Sequence, residues 1–240
     1  MLKQYDFAFR CTNLSELQSD LGVKLQGQLM HEIPTETAHE MHEKTYHPYS
    51  LYCVKTNENT VVTRISALTE EGDILLTAAK KMKTVNLAGV GQGEIVRRGE
   101  IQTFDVQKIA ESLMETKYRM LFLTPSAYKS GGRETGMPDI SMHFVSVLRK
   151  MRQFEQKDVN LQAFRDMLYC CRFSEWNLRQ DKFRFRERNI SGMTGYVDIE
   201  LPRDTETAQR MKEIFVYASF CGTGGKTGMG MGGFFLEPRR

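Results

Sequence analysis

Apolar and polar residues alternate from residue 3 to residue 11, in KQYDFAFRC, and this period of two predicts a β-strand. The spacing then becomes helical, because leucines recur every fourth residue, at Leu17, Leu21, Leu25 and Leu29. Ser15 precedes them as a candidate N-cap. The sequence therefore predicts a helix from Ser15 to about Ile33.

Alternation returns over residues 50–56 and 60–68, which predicts two strands joined by a turn. A helical pattern over residues 70–83 and a further strand segment over residues 93–104 follow. The order β-α-β-β-α-β is the split unit of ferredoxin-like folds, so we expect such a domain in the first half of the chain.

The second half repeats this order with one extra helix. Its predicted strands cover residues 117–125, 182–189, 195–202 and 232–238. Its predicted helices cover residues 139–154, 160–170 and 205–221, after a short helical connector at 105–115. The predicted fold is α+β, with two tandem ferredoxin-like (RRM-like, βαββαβ) domains and a boundary near Thr116.

Two helices of the second half carry more specific expectations. The helix over residues 139–154 is expected to turn four side chains inward, namely Met142, Val145, Leu148 and Met151. The helix over residues 205–221 is expected to begin at Asp204 or Thr205, since both residue types cap helices.

Composition places the chain among globular proteins, with 240 residues, 40% hydrophobic and 26% charged. It lacks an apolar run of about 18 residues, so no transmembrane helix is expected. The N-terminal segment MLKQYDFAFRCTN is too polar for a secretory signal. Five cysteines without CxxC spacing argue against a disulfide framework or a zinc ribbon. These features predict a cytoplasmic protein without membrane association.

Charge is divided unevenly between the two halves. Residues 117–240 carry 21 Lys and Arg against 14 Asp and Glu, a net +7, which leaves 12 against 16, a net −4, for residues 1–116. A basic half favours a polyanionic partner such as RNA, although a mildly basic solvated surface gives the same count.

The densest local signal is the glycine-rich segment GTGGKTGMGMGG, residues 222–233, with Lys226 at its centre. Glycines let the backbone approach a partner closely and aim N–H groups at an anion. The segment follows a helix and precedes a strand, which is the reverse of a phosphate-binding P-loop. Contact with nucleic acid or docking between segments is the interpretation favoured over a flexible turn, with these candidate residues: Gly222, Gly224, Lys226, Gly228 and Gly230.

Two other segments carry candidate cations. In KFRFRER, a strand would place Lys182, Arg184 and Arg186 on one face, with Phe183 and Phe185 on the other as core residues. In the loop LTPSAYKSGGR, Lys129 and Arg133 could contact phosphates or simply be solvated.

Four of the five histidines lie within HEIPTETAHEMHEKTYHPYS, residues 31–50. His39 and His42 are three residues apart, so they do not form the HExxH pattern of metalloproteases, and no third metal ligand is specified. A metal site and a polar loop both stay open on local grounds. Histidine is also the natural group for proton transfer near neutral pH. Its neighbours favour His42, since Lys44, Tyr46 and His47 follow within five residues.

Four stretches together resemble the CRISPR repeat-processing endoribonucleases of the repeat-associated mysterious protein (RAMP) superfamily. LQGQLMHEIP with MHEKTYHPYSLY resembles the first helix, the leucine-histidine-acid motif and the start of the next strand. The segment from Phe122 to Phe154 resembles the threonine-proline loop and its helix. NISGMTGYVDIEL resembles the glycine-aromatic hairpin, and GTGGKTGMGMG the C-terminal glycine-rich signature.

The resemblance implies metal-independent cleavage of CRISPR repeat RNA without a cofactor. In that reaction the 2′-hydroxyl attacks the adjacent phosphate and leaves 2′,3′-cyclic phosphate and 5′-hydroxyl ends. Met41-His42-Glu43 matches the leucine-histidine-acid motif, so His42 is the first choice for proton transfer and His39 the reserve. Lys44 matches the accompanying lysine. The family's tyrosine falls near Met30 or His31 here, so His31, Tyr46 or no residue takes its place.

Residues 1–116 are thus expected to carry the catalytic histidine, and residues 117–240 the glycine-rich loop and the basic RNA-binding surface. CRISPR repeat RNA is the expected partner, and other CRISPR complex subunits are possible additional partners. The sequence does not distinguish a monomer from a homodimer. The alternative is a non-catalytic member of the same superfamily that only holds guide RNA within an interference complex. The histidine cluster favours the nuclease, because a scaffold subunit does not need His42 beside Lys44.

Overall fold

The computed structural model of the chain describes residues 1–11, 20–89 and 91–239. The first half contains these strands and helices in chain order: β1 (Leu2–Arg10), α1 (Leu21–His31), α2 (Thr35–Glu43), β2 (Tyr49–Lys55), β3 (Thr60–Ala67), α3 (Asp73–Lys81), β4 (Thr84–Leu87), β5 (Gly91–Arg98) and β6 (Gln102–Phe104). A short 3-10 turn, Glu70–Gly72, leads into α3.

The first sheet is antiparallel, with the strand order β2-β3-β1-β5-β4, and β6 pairs with the other end of β1. Alternation along β1 buries Tyr5, Phe7 and Phe9 completely. They share a core with the leucine stripe of α1, whose described members are Leu21, Leu25 and Leu29. The predicted cap Ser15 and the first leucine, Leu17, lie outside the described residues.

The second half follows with these elements: α4 (Val106–Ser112), β7 (Lys117–Ser126), β8 (Tyr128–Ser130), β9 (Arg133–Thr135), α5 (Ile140–Glu155), α6 (Leu161–Tyr169), β10 (Arg172–Phe185), β11 (Arg188–Glu200), α7 (Thr205–Cys221) and β12 (Phe234–Arg239). Its sheet has the order β10-β11-β7-β12 and is also antiparallel. In both sheets the first strand lies between the third and the last of the βαββαβ unit. The chain therefore has two tandem ferredoxin-like domains, and the predicted fold class is confirmed.

The connector between the halves packs on the second one. Ala110 of α4 is fully buried, and α4 lies against α7. Leu2 and Leu68 of the first half join the same hydrophobic cluster, so the two cores touch. Strand β7 begins at Lys117, and a division near Thr116 stays a prediction.

Several local expectations can be compared with the structure. Asp204 is the N-cap of α7, and its carboxylate accepts a hydrogen bond from the Thr207 amide at 2.8 Å. The inward face predicted for α5 was partly wrong, because Met142 and Val145 are only half-buried while Leu148 and Met151 are buried. Each step of three residues falls about 60° short of a full helical turn, so four such positions cannot share one face.

Strand β10 also differs from its prediction. It begins at Arg172, ten residues before the predicted start, and pairs with β11 along its length. Arg186 is not on the strand face with Lys182 and Arg184, because it lies in the hairpin turn with a left-handed φ of 55°. Phe183 is buried as expected and Phe185 is half-buried. In the part of the chain that the structure describes, no helix is long and apolar enough to cross a membrane.

Candidate active site and nucleic-acid interface

The histidine segment folds into the short helix α2, which starts after Pro34 and ends at Glu43. Met41 is fully buried and anchors the helix on the first core. His39 and His42 are three residues apart and both are exposed, so their imidazoles are accessible. His39 Nδ1 lies 3.5 Å from a carboxylate oxygen of Glu43, one turn along the same helix.

Lys44 follows directly as the C-cap residue, and its extended backbone ends the helix. Its ammonium group pairs with the carboxylate of Glu71 in the 3-10 turn before α3. This pair holds Lys44 beside the end of α2, two residues from His42. A cation at this position can stabilise the negative charge that develops on a phosphorane, while the nearby imidazole transfers a proton.

His47 lies deeper than the other histidines of the segment. Its Nδ1 is 2.9 Å from the carbonyl oxygen of Met41, and its ring packs against Tyr49 at a centroid distance of 5.4 Å and an interplanar angle of 32°. A carbonyl can only accept, so Nδ1 carries the proton and Nε2 is the free acceptor. Burial lowers the pKa of His47, and nearby Lys150 and His42 lower it further, against the Met41 hydrogen bond, which raises it. The sequence analysis gave His47 no role, because a hydrogen bond to a backbone carbonyl cannot be recognised from the types of the neighbouring residues.

The glycine-rich segment connects α7 to β12 and packs between the two halves of the chain. Gly224 and Gly230 have left-handed φ angles of 70° and 104°. A Cβ on Gly224 would stand 2.4 Å from the Ala127 carbonyl oxygen, and one on Gly230 would stand 2.7 Å from Cα of Gly22 in α1. Close docking between segments therefore requires glycine at both positions.

The other two glycines singled out in the sequence are also buried. A Cβ on Gly222 would stand 2.9 Å from the Gly232 carbonyl oxygen, and one on Gly228 would stand 3.1 Å from the His47 ring. All four glycines thus make close contacts within the chain. Direct contact of their N–H groups with RNA stays a prediction.

Lys226 occupies the tip of this segment, and its Nζ lies 4.4 Å from the centre of the Phe185 ring. Glu134 is 3.8 Å from the same Nζ and also binds Arg188 at 3.0 Å. Partial burial lowers the pKa of Lys226, and the cations Arg188, Lys129 and Arg186 lower it further, against Glu134, which raises it. The fold therefore gathers cations from three separate segments around one carboxylate.

The remaining predicted cations lie at exposed positions of the second half. Lys129 lies in β8 and Arg133 in β9, which form a small hairpin. Lys182 and Arg184 project from β10, and Arg186 from its turn. A surface of this kind suits the phosphates of a nucleic acid, since each Lys or Arg can replace condensed counterions.

A cavity of about 560 Å³ lies between the two halves, beside the histidine segment. Tyr46 and His47 line it from the first half, and α5, β8 and the glycine-rich segment line it from the second. Lys129 and Lys226 border it, together with Arg149 and Lys150 of α5, which the sequence did not single out. The helical period of α5 is the only sequence signal that bears on Arg149 and Lys150. It does not tell which face of the helix will meet the other domain.

A buried network fixes the geometry of the glycine-rich segment. Ser126 at the end of β7 contacts Nδ1 of His143 at 2.9 Å and the Thr223 hydroxyl at 3.0 Å. The other ring nitrogen of His143 lies 2.9 Å from the Met137 carbonyl oxygen, to which it donates. The fifth histidine therefore has a structural role, because it is fully buried and both its nitrogens are used.

Among the described residues, no group of three or more His, Cys, Asp or Glu side chains has an arrangement that could hold a metal ion. The five cysteines are all free thiols.

Two tandem ferredoxin-like domains, with a glycine-rich segment packed between them and a histidine-bearing helix beside it, are the arrangement expected from the resemblance to the CRISPR repeat-processing endoribonucleases. The sequence profile described as "CRISPR-associated endoribonuclease Cas6" matches residues 120–234. Two curated relatives with that same description cover nearly the whole chain. The one from Streptococcus thermophilus is 23% identical over 100% of both chains, and the one from Mycobacterium tuberculosis is 25% identical over 91% of this chain and 72% of its own.

Among solved structures, a Cas6 product complex superposes with a TM-score of 0.76 at 20% identity, over 100% of this chain and 99% of that one. The chain is thus similar to CRISPR-associated Cas6 endoribonucleases, over its whole length in the Streptococcus thermophilus relative and over residues 120–234 in the sequence profile. The family resemblance carried by the four sequence motifs is thereby confirmed.

Proposed function

We propose that this protein is the metal-independent endoribonuclease that cuts CRISPR repeat RNA. One observation carries the assignment: an exposed histidine, His42, lies beside a lysine held by an ion pair, on the N-terminal half of a chain related over its whole length to CRISPR-associated endoribonucleases. The alternative, a non-catalytic subunit that only holds guide RNA, finds no better support, since the curated relatives are described as nucleases.

The reaction needs three groups from the protein. A base removes the proton of the attacking 2′-hydroxyl, an acid protonates the departing 5′-oxygen, and a cation stabilises the charge that develops on the phosphorane. We assign proton transfer to His42, with His39 in reserve, and charge stabilisation to Lys44, with Tyr46 nearby as a further hydroxyl donor. The substrate supplies its own nucleophile, so the enzyme contributes orientation and need not activate a water molecule.

The division of labour follows from where these groups lie. Residues 1–116 would carry the catalytic helix α2, and residues 117–240 would carry the RNA-binding surface. That surface would use the side chains of Lys129, Arg133, Lys182, Arg184, Arg186 and Lys226, and backbone N–H groups around Gly222, Gly224, Gly228 and Gly230. We propose that the protein acts in the cytoplasm, as a monomer or a homodimer. Its proposed partner is CRISPR repeat RNA, and other CRISPR complex subunits are proposed as additional partners.

The test is a cleavage assay with the repeat RNA of the array that accompanies the gene, in the presence of EDTA. Cutting at one site is expected, with 2′,3′-cyclic phosphate and 5′-hydroxyl ends. Replacing the 2′-hydroxyl just upstream of that site with hydrogen should abolish cutting and leave binding intact. Binding of the unmodified RNA without any cut would favour the scaffold alternative. Cutting that disappears with EDTA and returns with a divalent ion would contradict the metal-independent reaction.

A further inference from the structure

The cavity between the two halves has walls that suit a planar base. One side is formed by half-buried apolar side chains of α5, Met142 and Val145, and by Tyr128 of β8. Two aromatic residues of the first half, Tyr46 and His47, also line the cavity. Aromatic and flexible apolar walls of this kind accept a flat ring by stacking.

Lys150 supplies the polar group of this cavity. It is only 5% exposed, and its ammonium group donates to the Cys221 carbonyl oxygen at 2.8 Å and to the Thr227 hydroxyl at 2.6 Å. An ammonium group has three N–H donors, so one is left without a partner among the described residues. No described carboxylate forms an ion pair with Lys150. An unpaired buried cation is costly, which makes an acceptor from a ligand the natural complement.

Cations also border the cavity where it opens. Lys129 and Arg149 are exposed, and Lys226 is half-buried. Among the described residues that line the cavity, Glu134 is the one acidic residue, and it already binds Arg188 and Lys226. Charge at the opening therefore suits a phosphate, whereas the apolar walls behind it suit a base.

We propose that this cavity holds one unstacked nucleotide of the repeat RNA. Its base packs against the aromatic and apolar lining, which includes Tyr46, His47 and Val145, and accepts a hydrogen bond from Lys150. Its phosphate lies against Lys129, Arg149 and Lys226. A volume of about 560 Å³ lies within the usual range for sites that hold one small ligand, so it admits one nucleotide. The pocket thus reads a single-stranded position, which is how RNA-binding proteins obtain sequence specificity.

This inference rests on the proposed function, since it takes repeat RNA as the ligand. The experiment uses a set of repeat RNAs, each with one abasic nucleotide and every 2′-hydroxyl retained. Dissociation constants and single-turnover cleavage rates are measured for the wild-type protein and for Val145→Trp, which fills the cavity. Gln153→Trp adds the same bulk at an exposed position on the same helix and is the matched control.

For wild type and Gln153→Trp, one abasic position is expected to weaken binding by about tenfold, the loss typical of one stacked base. Val145→Trp should bind the intact RNA about tenfold more weakly and lose all sensitivity at that position, because the base can no longer enter. Wild-type protein that binds every abasic RNA equally well, or Val145→Trp with undiminished sensitivity, would overturn the proposal.

A second measurement needs no variant, in case Val145→Trp does not fold. Wild-type protein is cross-linked to RNA that carries 4-thiouridine at the sensitive position. Adducts in the peptides of the cavity wall, residues 45–47 or 142–150, support the pocket, and adducts confined to the β10–β11 hairpin contradict it. Wild-type protein that cuts the intact RNA without a sensitive position refutes only the pocket. Wild-type protein that never cuts refutes the proposed function instead.

Discussion

Gly22 of α1 lies against Gly230 of the glycine-rich segment, so closely that a Cβ on Gly22 would stand 2.4 Å from Cα of Gly230. The two residues are 208 positions apart in the sequence. Their contact joins the first helix of the N-terminal domain to the glycine-rich segment of the C-terminal domain. At this point the two domains meet backbone to backbone, with no side chain between them.

Gly22→Ala should destabilise the protein by about 1–3 kcal/mol, since backbone on both sides of the contact would have to move. Gly27→Ala is the matched control in the same helix, because a Cβ there meets nothing within 4 Å. That change should stabilise the helix by about 0.5–1 kcal/mol. Urea unfolding of the two variants measures the difference, and equal effects would show that the Gly22–Gly230 contact does not constrain the fold.

His42→Ala should lower the single-turnover cleavage rate by about 10²–10⁴-fold, the usual contribution of a general acid or base. Binding should be unchanged, because the imidazole is exposed and anchors no other segment. His39→Ala, on the same helix, is expected to have a much smaller effect. Wild-type rates in both variants would remove α2 from the catalytic machinery.

Lys44→Ala should also slow cleavage, by about a hundredfold, because one preorganised donor to the phosphorane is lost. Glu71→Gln tests the ion pair separately: it removes the carboxylate charge and leaves Lys44 in place. We expect Glu71→Gln to retain cutting, since the cation is then fully available to the phosphate. If Glu71→Gln cleaves as slowly as Lys44→Ala, the Glu71 carboxylate would itself be required for cleavage, and the assignment of charge stabilisation to Lys44 alone would be wrong.

Alanine at Lys129, Arg133 or Arg184 should weaken RNA binding and reduce the slope of log K against log salt by about 0.7–0.9 for each phosphate contact removed. Lys108→Ala, an exposed cation of α4, is the control and should leave the slope unchanged. Titrations over a range of salt concentrations decide the question. A variant with the wild-type slope does not touch a phosphate.

Stability should fall as the pH drops below about 6.5, the value for an unfolded histidine. Burial lowers the pKa of His143 in the folded protein, so the unfolded chain binds the proton first and acid favours unfolding. The contribution is complete above that pH and is lost as the pH falls towards the folded pKa. His47 acts in the same direction.

His143→Gln should reduce this acid sensitivity, although it also lowers stability at neutral pH because the Ser126 and Met137 hydrogen bonds are disturbed. Urea unfolding between about pH 5 and pH 7.5 measures the slope, which is at most about 1.4 kcal/mol per pH unit for one proton. An unchanged slope in His143→Gln would assign the acid sensitivity elsewhere.

The order of strands and helices followed from the sequence, because the periods of two and of 3.6 residues report locally on which face is buried. The alternation of β1, the leucines of α1 and the apolar strand β7 were sufficient to predict two ferredoxin-like units. The short strand β4 and the early start of β10 were missed. Strand β4 has only four residues, too few for a clear period, and the first part of β10 is largely exposed and is ordered by its pairing with β11.

The sequence by itself also determined the residue types of the site: histidines beside a lysine, a dense glycine segment and separate basic stretches. Only the tertiary structure decided that His47 binds the Met41 carbonyl, that Lys150 is buried without a carboxylate partner among the described residues, and that Tyr46 and α5 line the same cavity. These relationships join residues far apart in the chain. They depend on how the two domains pack against each other. A local sequence pattern shows which face of an element is buried, but it does not identify the residues that this face contacts.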